Sequence, residues 1–138
     1  MVGTVVLIED EQSIGTLVRA YLERDGFQAV WVRSGEQGLA ELDRHPVRLV
    51  ILDVGLPGMD GYAVASRLRQ ALGVDGIFLI ALTGYAQPED RRRAFDSGFD
   101  AHLAKPINYS SLSSLLSQGH VRREAAADAP DPQPNTAG

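Results

Sequence analysis

Four short apolar runs recur along the chain, and each stops abruptly on a charged or hydroxyl side chain. Thr4-Val5-Val6-Leu7-Ile8 stops on Glu9-Asp10-Glu11, and Leu49-Val50-Ile51-Leu52 stops on Asp53. Gly76-Ile77-Phe78-Leu79-Ile80-Ala81-Leu82 leads into Thr83-Gly84, and Asp100-Ala101-His102-Leu103-Ala104 into Lys105-Pro106. Unbroken apolar runs of this length, bounded by turn residues, read as strands buried on both faces. Phe27 to Val32, rich in β-formers, adds a further strand as the second in the chain.

The intervening segments carry a helical period. From Ser13 to Asp25, Ile14, Leu17, Val18, Tyr21 and Leu22 fall on one face, and Gly26 follows as a left-handed cap. Ser34-Gly35-Glu36-Gln37 has the form of a capping box opening a helix through Leu39 and Leu42, closed near His45-Pro46. A helix starting at Asp60-Gly61 puts Tyr62, Ala65 and Leu68 on one face and leaves Arg67 and Arg69 solvated. Pro88 suits the first turn of a helix over Glu89 to Ser97, backed by Gly98. Its Arg91-Arg92-Arg93 run, beside Glu89, Asp90 and Asp96, reads as a mixed solvated face or part of a protein interface. The last helix, Tyr109 to Ser117, turns Leu112, Leu115 and Leu116 inward. Strict strand and helix alternation demands right-handed crossovers and a parallel sheet covered on both sides, an α/β fold.

From about Gln118 the composition changes to Ala, Asp, Pro and Arg with few large apolar residues, which cannot bury enough surface to offset the ordering entropy. A folded unit over residues 1–118 and a disordered tail or linker stub over 119–138 are therefore expected. A chain of 138 residues otherwise holds about one domain.

The net charge of −5 argues against nucleic acid or an anionic membrane surface as a partner. With no cysteine, thiolate metal sites, disulfides and cysteine nucleophiles are excluded. No apolar run approaches the roughly 18 residues of a membrane span, and a cytoplasmic location is expected.

The chemistry lies at the strand ends. In open parallel sheets, ligands bind beyond the carboxyl ends of the strands, so Asp53 is delivered to the place where a site is built. Taken alone it could equally be a turn residue or a helix cap. If the first and third strands are neighbours, Glu9, Asp10 and Asp53 converge, and their repulsion calls for a cation. Mg²⁺, bound by carboxylates and phosphate oxygens, suits such a site.

Glu9-Asp10, Asp53 within Leu52-Asp53-Val54-Gly55-Leu56-Pro57-Gly58-Met59-Asp60-Gly61, Thr83 within Ala81-Leu82-Thr83-Gly84, and Lys105 within Ala104-Lys105-Pro106 together resemble the receiver domains of two-component response regulators. The resemblance covers residues 4 to 118. It implies a flavodoxin-like, doubly wound (βα)5 fold with a five-stranded parallel sheet in the order 2-1-3-4-5. It further implies that Asp53 accepts a phosphoryl group from a histidine kinase or phosphotransfer protein, and that Asp10, Asp53 and the Gly55 carbonyl hold Mg²⁺. Glu9, where the family more often has Asp, would act mostly through a bound water. Lys105, before a cis proline, would pair with a phosphoryl oxygen, and Thr83 would donate to it after its loop moves inward.

The output implied is a protein-binding face made of the fourth helix, fifth strand and fifth helix, which would bind a downstream protein or a second copy. Three residues before the lysine the family has Tyr or Phe; this chain has His102. Tyr85 is read as a shield over the acyl phosphate. The expectation is a signalling module rather than an enzyme. A haloacid dehalogenase type of phosphohydrolase wants an acid where Gly55 stands, and a flavin or dinucleotide binder wants a glycine-rich phosphate loop where Glu9-Asp10-Glu11 stand. A receiver that binds constitutively as a scaffold, or one cut from a larger regulator or hybrid kinase, is the alternative to a single-domain regulator.

Overall fold

The computed structural model describes residues 3–44, 46–56, 61–72, 77–84 and 98–128. In chain order these form β1 (Thr4–Ile8), α1 (Gln12–Arg24), β2 (Gln28–Val32), α2 (Gly35–Arg44), β3 (Leu49–Asp53), α3 (Gly61–Leu72), β4 (Phe78–Thr83), β5 (Ala101–Ala104) and a C-terminal helix, α4 (Tyr109–Asp128). The helix expected over 89–97, its arginine run, Tyr85, His45 and Pro57 to Asp60 lie outside the described residues.

All neighbouring strands are parallel, in the order β2-β1-β3-β4-β5. Successive side chains leave a strand on opposite faces, and both faces here are covered. Val5, Leu7, Leu49, Ile51, Phe78 and Ile80 meet Val18 and Leu22 of α1 and Leu112 and Leu116 of α4. Val6, Ile8, Val50, Leu52, Leu79 and Ala81 meet Val64, Ala65 and Leu68 of α3, with Leu39 and Leu42 of α2 against them. This two-sided burial is why the strands read as unbroken apolar runs.

The local signals act as their chemistry requires. Gly26 closes α1 at φ +90°, a conformation L side chains avoid. The Ser34 hydroxyl accepts from the Gln37 N–H at 3.2 Å, while the Gln37 amide oxygen accepts from the Arg33 N–H at 3.0 Å, one residue earlier than in a strict capping box.

Three readings change. Leu17, expected on the apolar face of α1, is 39% exposed. Arg69 is not solvated: it donates to the carbonyls of Ile77 and Gly98, each at 2.7 Å, and pairs with Asp100, both side chains almost buried. The last helix does not stop near Ser117 but runs to Asp128, because Arg, Glu and Ala sustain a helix without large apolar residues. Among the described residues, no helix is long and apolar enough to cross a membrane.

Candidate functional site

Register brings the strand ends together. Ile8 pairs with Leu52, so Glu9 and Asp10 leave the sheet beside Asp53; Asp53 pairs with Leu82, and Thr83 with Ala104. Four expected residues, Glu9, Asp53, Thr83 and Lys105, thus stand at the ends of four adjacent strands.

Asp53 is the last residue of β3 and is 4% exposed. Its Oδ1 accepts the Gly55 N–H at 2.8 Å, and its Oδ2 accepts from Lys105 Nζ at 2.9 Å. Lys105 is fixed in turn by its own backbone, whose N–H donates to the Thr83 carbonyl at 2.9 Å, and its bond to Pro106 is cis as expected. Its ammonium also lies 3.6 Å from Glu9 Oε1. Burial pulls the Lys105 ammonium down, but the hydrogen bond and charge of Asp53, with the charges of Glu9 and Glu11, outweigh it and leave it above its ordinary value.

Glu9 is completely buried. Its Oε2 accepts the Glu11 N–H at 3.0 Å, while its Oε1 has no hydrogen-bond partner among the described residues. Burial pushes its carboxyl up from 4.5 to about 7; Asp53 adds to the rise, and the Glu11 N–H and Lys105 oppose it. Asp10 is exposed at the rim, and oxygens of Glu9, Asp10 and Asp53 all lie within 4.8 Å of one another.

An orphaned buried carboxylate oxygen within a set of hard oxygen donors fits a small divalent cation, which would remove both the repulsion and the missing bond. The expected ligands thus meet, save that the Gly55 contact seen here is through its N–H. Thr83, 5% exposed, ends β4. His102 is half-buried on β5, in register with Ala81, and lines an open groove with Ser110, Ser114 and Leu115 of α4.

Two residues of this region were not expected from the sequence. Trp31 Nε1 donates to the Glu9 carbonyl at 2.8 Å, and Arg33 Nη1 to the Asp10 carbonyl at 3.0 Å. The strand order would have exposed them: β2 lies beside β1 with Ile8 opposite Val32, so the C-terminal end of β2 stands next to the acids.

The family model described as the response regulator receiver domain matches residues 5–117. The chain is 36% identical over 128 residues to the KDP operon transcriptional regulatory protein KdpE of Escherichia coli, covering 93% of this chain and 55% of that protein. It is 32% identical over 114 residues to an uncharacterized 14.6 kDa protein of Leptolyngbya boryana, covering 83% of this chain and 87% of that one. The chain thus spans about half the length of KdpE and most of the Leptolyngbya protein. In fold it matches a CheY-like receiver domain protein of Methanospirillum hungatei, with a TM-score of 0.81 at 22% identity over 90% of this chain and 98% of the other. It also matches the chemotaxis response regulator CheY4 of Vibrio cholerae, with a TM-score of 0.77 at 24% identity over 85% and 98%.

Proposed function

The chain belongs to the response regulator receiver domains of two-component systems, and on that premise we propose that it accepts a phosphoryl group on Asp53 and relays the event to a protein-binding face. The observation that carries this reading is the convergence of Asp53, Lys105, Glu9 and Asp10 at one edge of the sheet.

A carboxylate oxygen of Asp53 attacks the phosphorus of a phosphohistidine on a histidine kinase or phosphotransfer protein. The P–O bond forms as the P–N bond breaks, and the donor imidazole leaves with the electron pair and takes a proton from water. Lys105, already 2.9 Å from the carboxylate, shifts its hydrogen bond to a phosphoryl oxygen and keeps the charge balanced. Glu9, Asp10 and Asp53, with the Gly55 carbonyl, would hold Mg²⁺, which when bound offsets the negative charge gathered on the transferring group. The Glu9 carboxyl, completely buried, stands at the inner side of this donor set.

Thr83 is the residue we assign to the switch. Its hydroxyl donates to the phosphoryl group only in the phosphorylated state, so the modification has a differential contact with which to shift populations. The change passes to the face of the helix expected over 89–97, β5 and α4, where a downstream protein or a second copy binds. His102 stands on β5 beside α4 with a half-buried imidazole, smaller and more polar than the Tyr or Phe ring the family has there. That observation favours a second reading, a scaffold whose partner binding does not depend on phosphorylation.

Incubation with MgCl₂ and acetyl phosphate, followed by intact mass measurement, tests the first reading. A single hydrolysable phosphoryl group is expected, absent in Asp53→Asn and absent without the metal. An unmodified wild-type protein, or a modified Asp53→Asn protein, would overturn it. Equal partner capture by the phosphorylated and unphosphorylated forms would select the scaffold.

A further inference from the structure

We propose that Trp31 and Arg33, at the C-terminal end of β2, are positioning residues for the acid cluster: they hold the two carbonyls flanking the Asp10 Cα and so set the site's affinity for a divalent cation. The inference rests on the phosphoacceptor reading of the site and extends it to residues outside the acid cluster.

Three hydrogen bonds in succession tie β2 to the loop that carries the acids. The Glu9 N–H donates to the Val32 carbonyl at 3.0 Å, Trp31 Nε1 to the Glu9 carbonyl at 2.8 Å, and Arg33 Nη1 to the Asp10 carbonyl at 3.0 Å. The Glu9 and Asp10 carbonyls belong to the peptide planes on either side of the Asp10 Cα. Holding both planes fixes φ and ψ of Asp10, and with them the direction of its Cβ. This matters because Asp10 is exposed, so packing does not aim its carboxylate. Its backbone must.

The two holders are themselves held. Arg33 Nη2 donates to Gln12 Oε1 at 2.6 Å, so one guanidinium spans the loop from Asp10 to the first residue of α1, using the planar fork that lysine lacks. The guanidinium lies 5.0 Å from the centre of the Trp31 ring, a cation–π distance, and the Arg33 N–H is anchored on the Gln37 side chain. The indole reaches the loop only because α1 has glycine at position 15; a Cβ there would lie inside the ring of Trp31.

Electrostatics alone predicts the opposite sign. A positive charge beside a cation site repels the cation, so removing Arg33 should tighten binding if charge decides. If positioning decides, removing it loosens binding. Groups that orient metal ligands typically change metal affinity by about 10–100-fold; an exposed arginine belongs at the low end.

The test is a ¹H–¹⁵N NMR titration of the whole chain with MgCl₂. The chain has one tryptophan, so a single indole N–H resonance reports the bond to Glu9. In the wild type this resonance is expected to move with the same saturation constant as the Asp10 amide. Trp31→Phe keeps a ring but loses the donor, and Arg33→Met keeps the aliphatic reach but loses donors and charge; each is expected to raise the Mg²⁺ Kd about tenfold. Arg33→Lys, which keeps the charge but not the fork, is expected to raise it about threefold. Wild-type protein that MgCl₂ does not saturate would overturn the site reading and this inference with it. A saturable wild type with both variants within twofold of it, or tighter binding by Arg33→Met, would overturn the positioning role alone.

Discussion

Lys105 Nζ donates to Asp53 Oδ2 at 2.9 Å, joining residues 52 positions apart, and it also faces the buried Glu9. One ammonium thus balances two nearly inaccessible carboxylates. Replacing it by Met leaves both acids facing each other, and unpaired buried charge costs several kcal/mol unless a proton is taken up. Glu9 supplies that escape at low pH. Lys105→Met should therefore lose about 2 kcal/mol of metal-free stability at pH 8 and clearly less at pH 5, read from urea unfolding. Phosphoryl uptake at Asp53 should fall roughly 10²-fold, as for loss of one charge-stabilising donor. An equal loss of stability at the two pH values would contradict the shared balance.

Glu9 gives the metal-free protein a distinctive pH profile. With its carboxyl raised from 4.5 to about 7, the folded chain keeps a proton that the unfolded chain has already released. The folded state then binds more protons than the unfolded one between those values, so Glu9 makes stability fall as pH rises through that window. At about 1.4 kcal/mol per pKa unit, the fall is of order 3 kcal/mol at most. The raised Lys105 acts elsewhere: its contribution is complete below 10.5 and is lost only as pH rises through its folded value. Urea midpoints from pH 4.5 to 8 in EDTA should decline in the wild type and flatten in Glu9→Gln. Parallel slopes in the two proteins would refute the assignment.

Cation binding should reverse that decline. A ligand that binds only the folded state at ten times its Kd adds about 1.4 kcal/mol. Because the acids bind as carboxylates, thermal midpoints should rise more with MgCl₂ at pH 8 than at pH 5, and Asp10→Asn should abolish most of the rise. A rise that persists in Asp10→Asn would place the cation elsewhere.

The candidate site was legible because parallel strands buried on both faces appear as unbroken apolar runs, and a charged or hydroxyl residue ending such a run is conspicuous. Asp53, Thr83 and Lys105 were each found in this way, and register then assembled them. Arg69 was not legible. It follows Leu68 on a helix and reads as surface, while its acceptors are two backbone carbonyls and an acid 31 positions away. The length of α4 escaped for a different reason: apolar content fades after residue 118, yet helix propensity does not.

Arg69 and Asp100 tie the end of α3 to the loop before β5, and Asp100 Oδ2 also accepts the Leu79 N–H at 2.8 Å. With side chains only 12% and 11% exposed, removing one partner leaves a nearly buried charge. Arg69→Met should cost about 3 kcal/mol in urea unfolding, and the double variant with Asp100→Asn should cost less than the two single changes added together. Additive losses would show that the pair is not coupled.

Gly119 tests how far the folded unit extends past residue 118. In an open helical position, replacing Gly by Ala gains about 1 kcal/mol, since alanine loses less backbone entropy. Here a Cβ would stand 2.8 Å from Cδ2 of Phe78 and 3.3 Å from Cδ2 of Leu49, at the starts of β4 and β3. Phe78 and Leu49 are almost wholly buried in the core, so the ring has little room to yield. Overpacking of this kind costs about 1–3 kcal/mol, which exceeds the gain from propensity. Gly119→Ala should therefore lower the urea midpoint by an amount equivalent to about 1 kcal/mol, while helical circular dichroism at low urea stays unchanged. Should the midpoint rise instead, propensity has won, and α4 at residue 119 does not seat on the sheet.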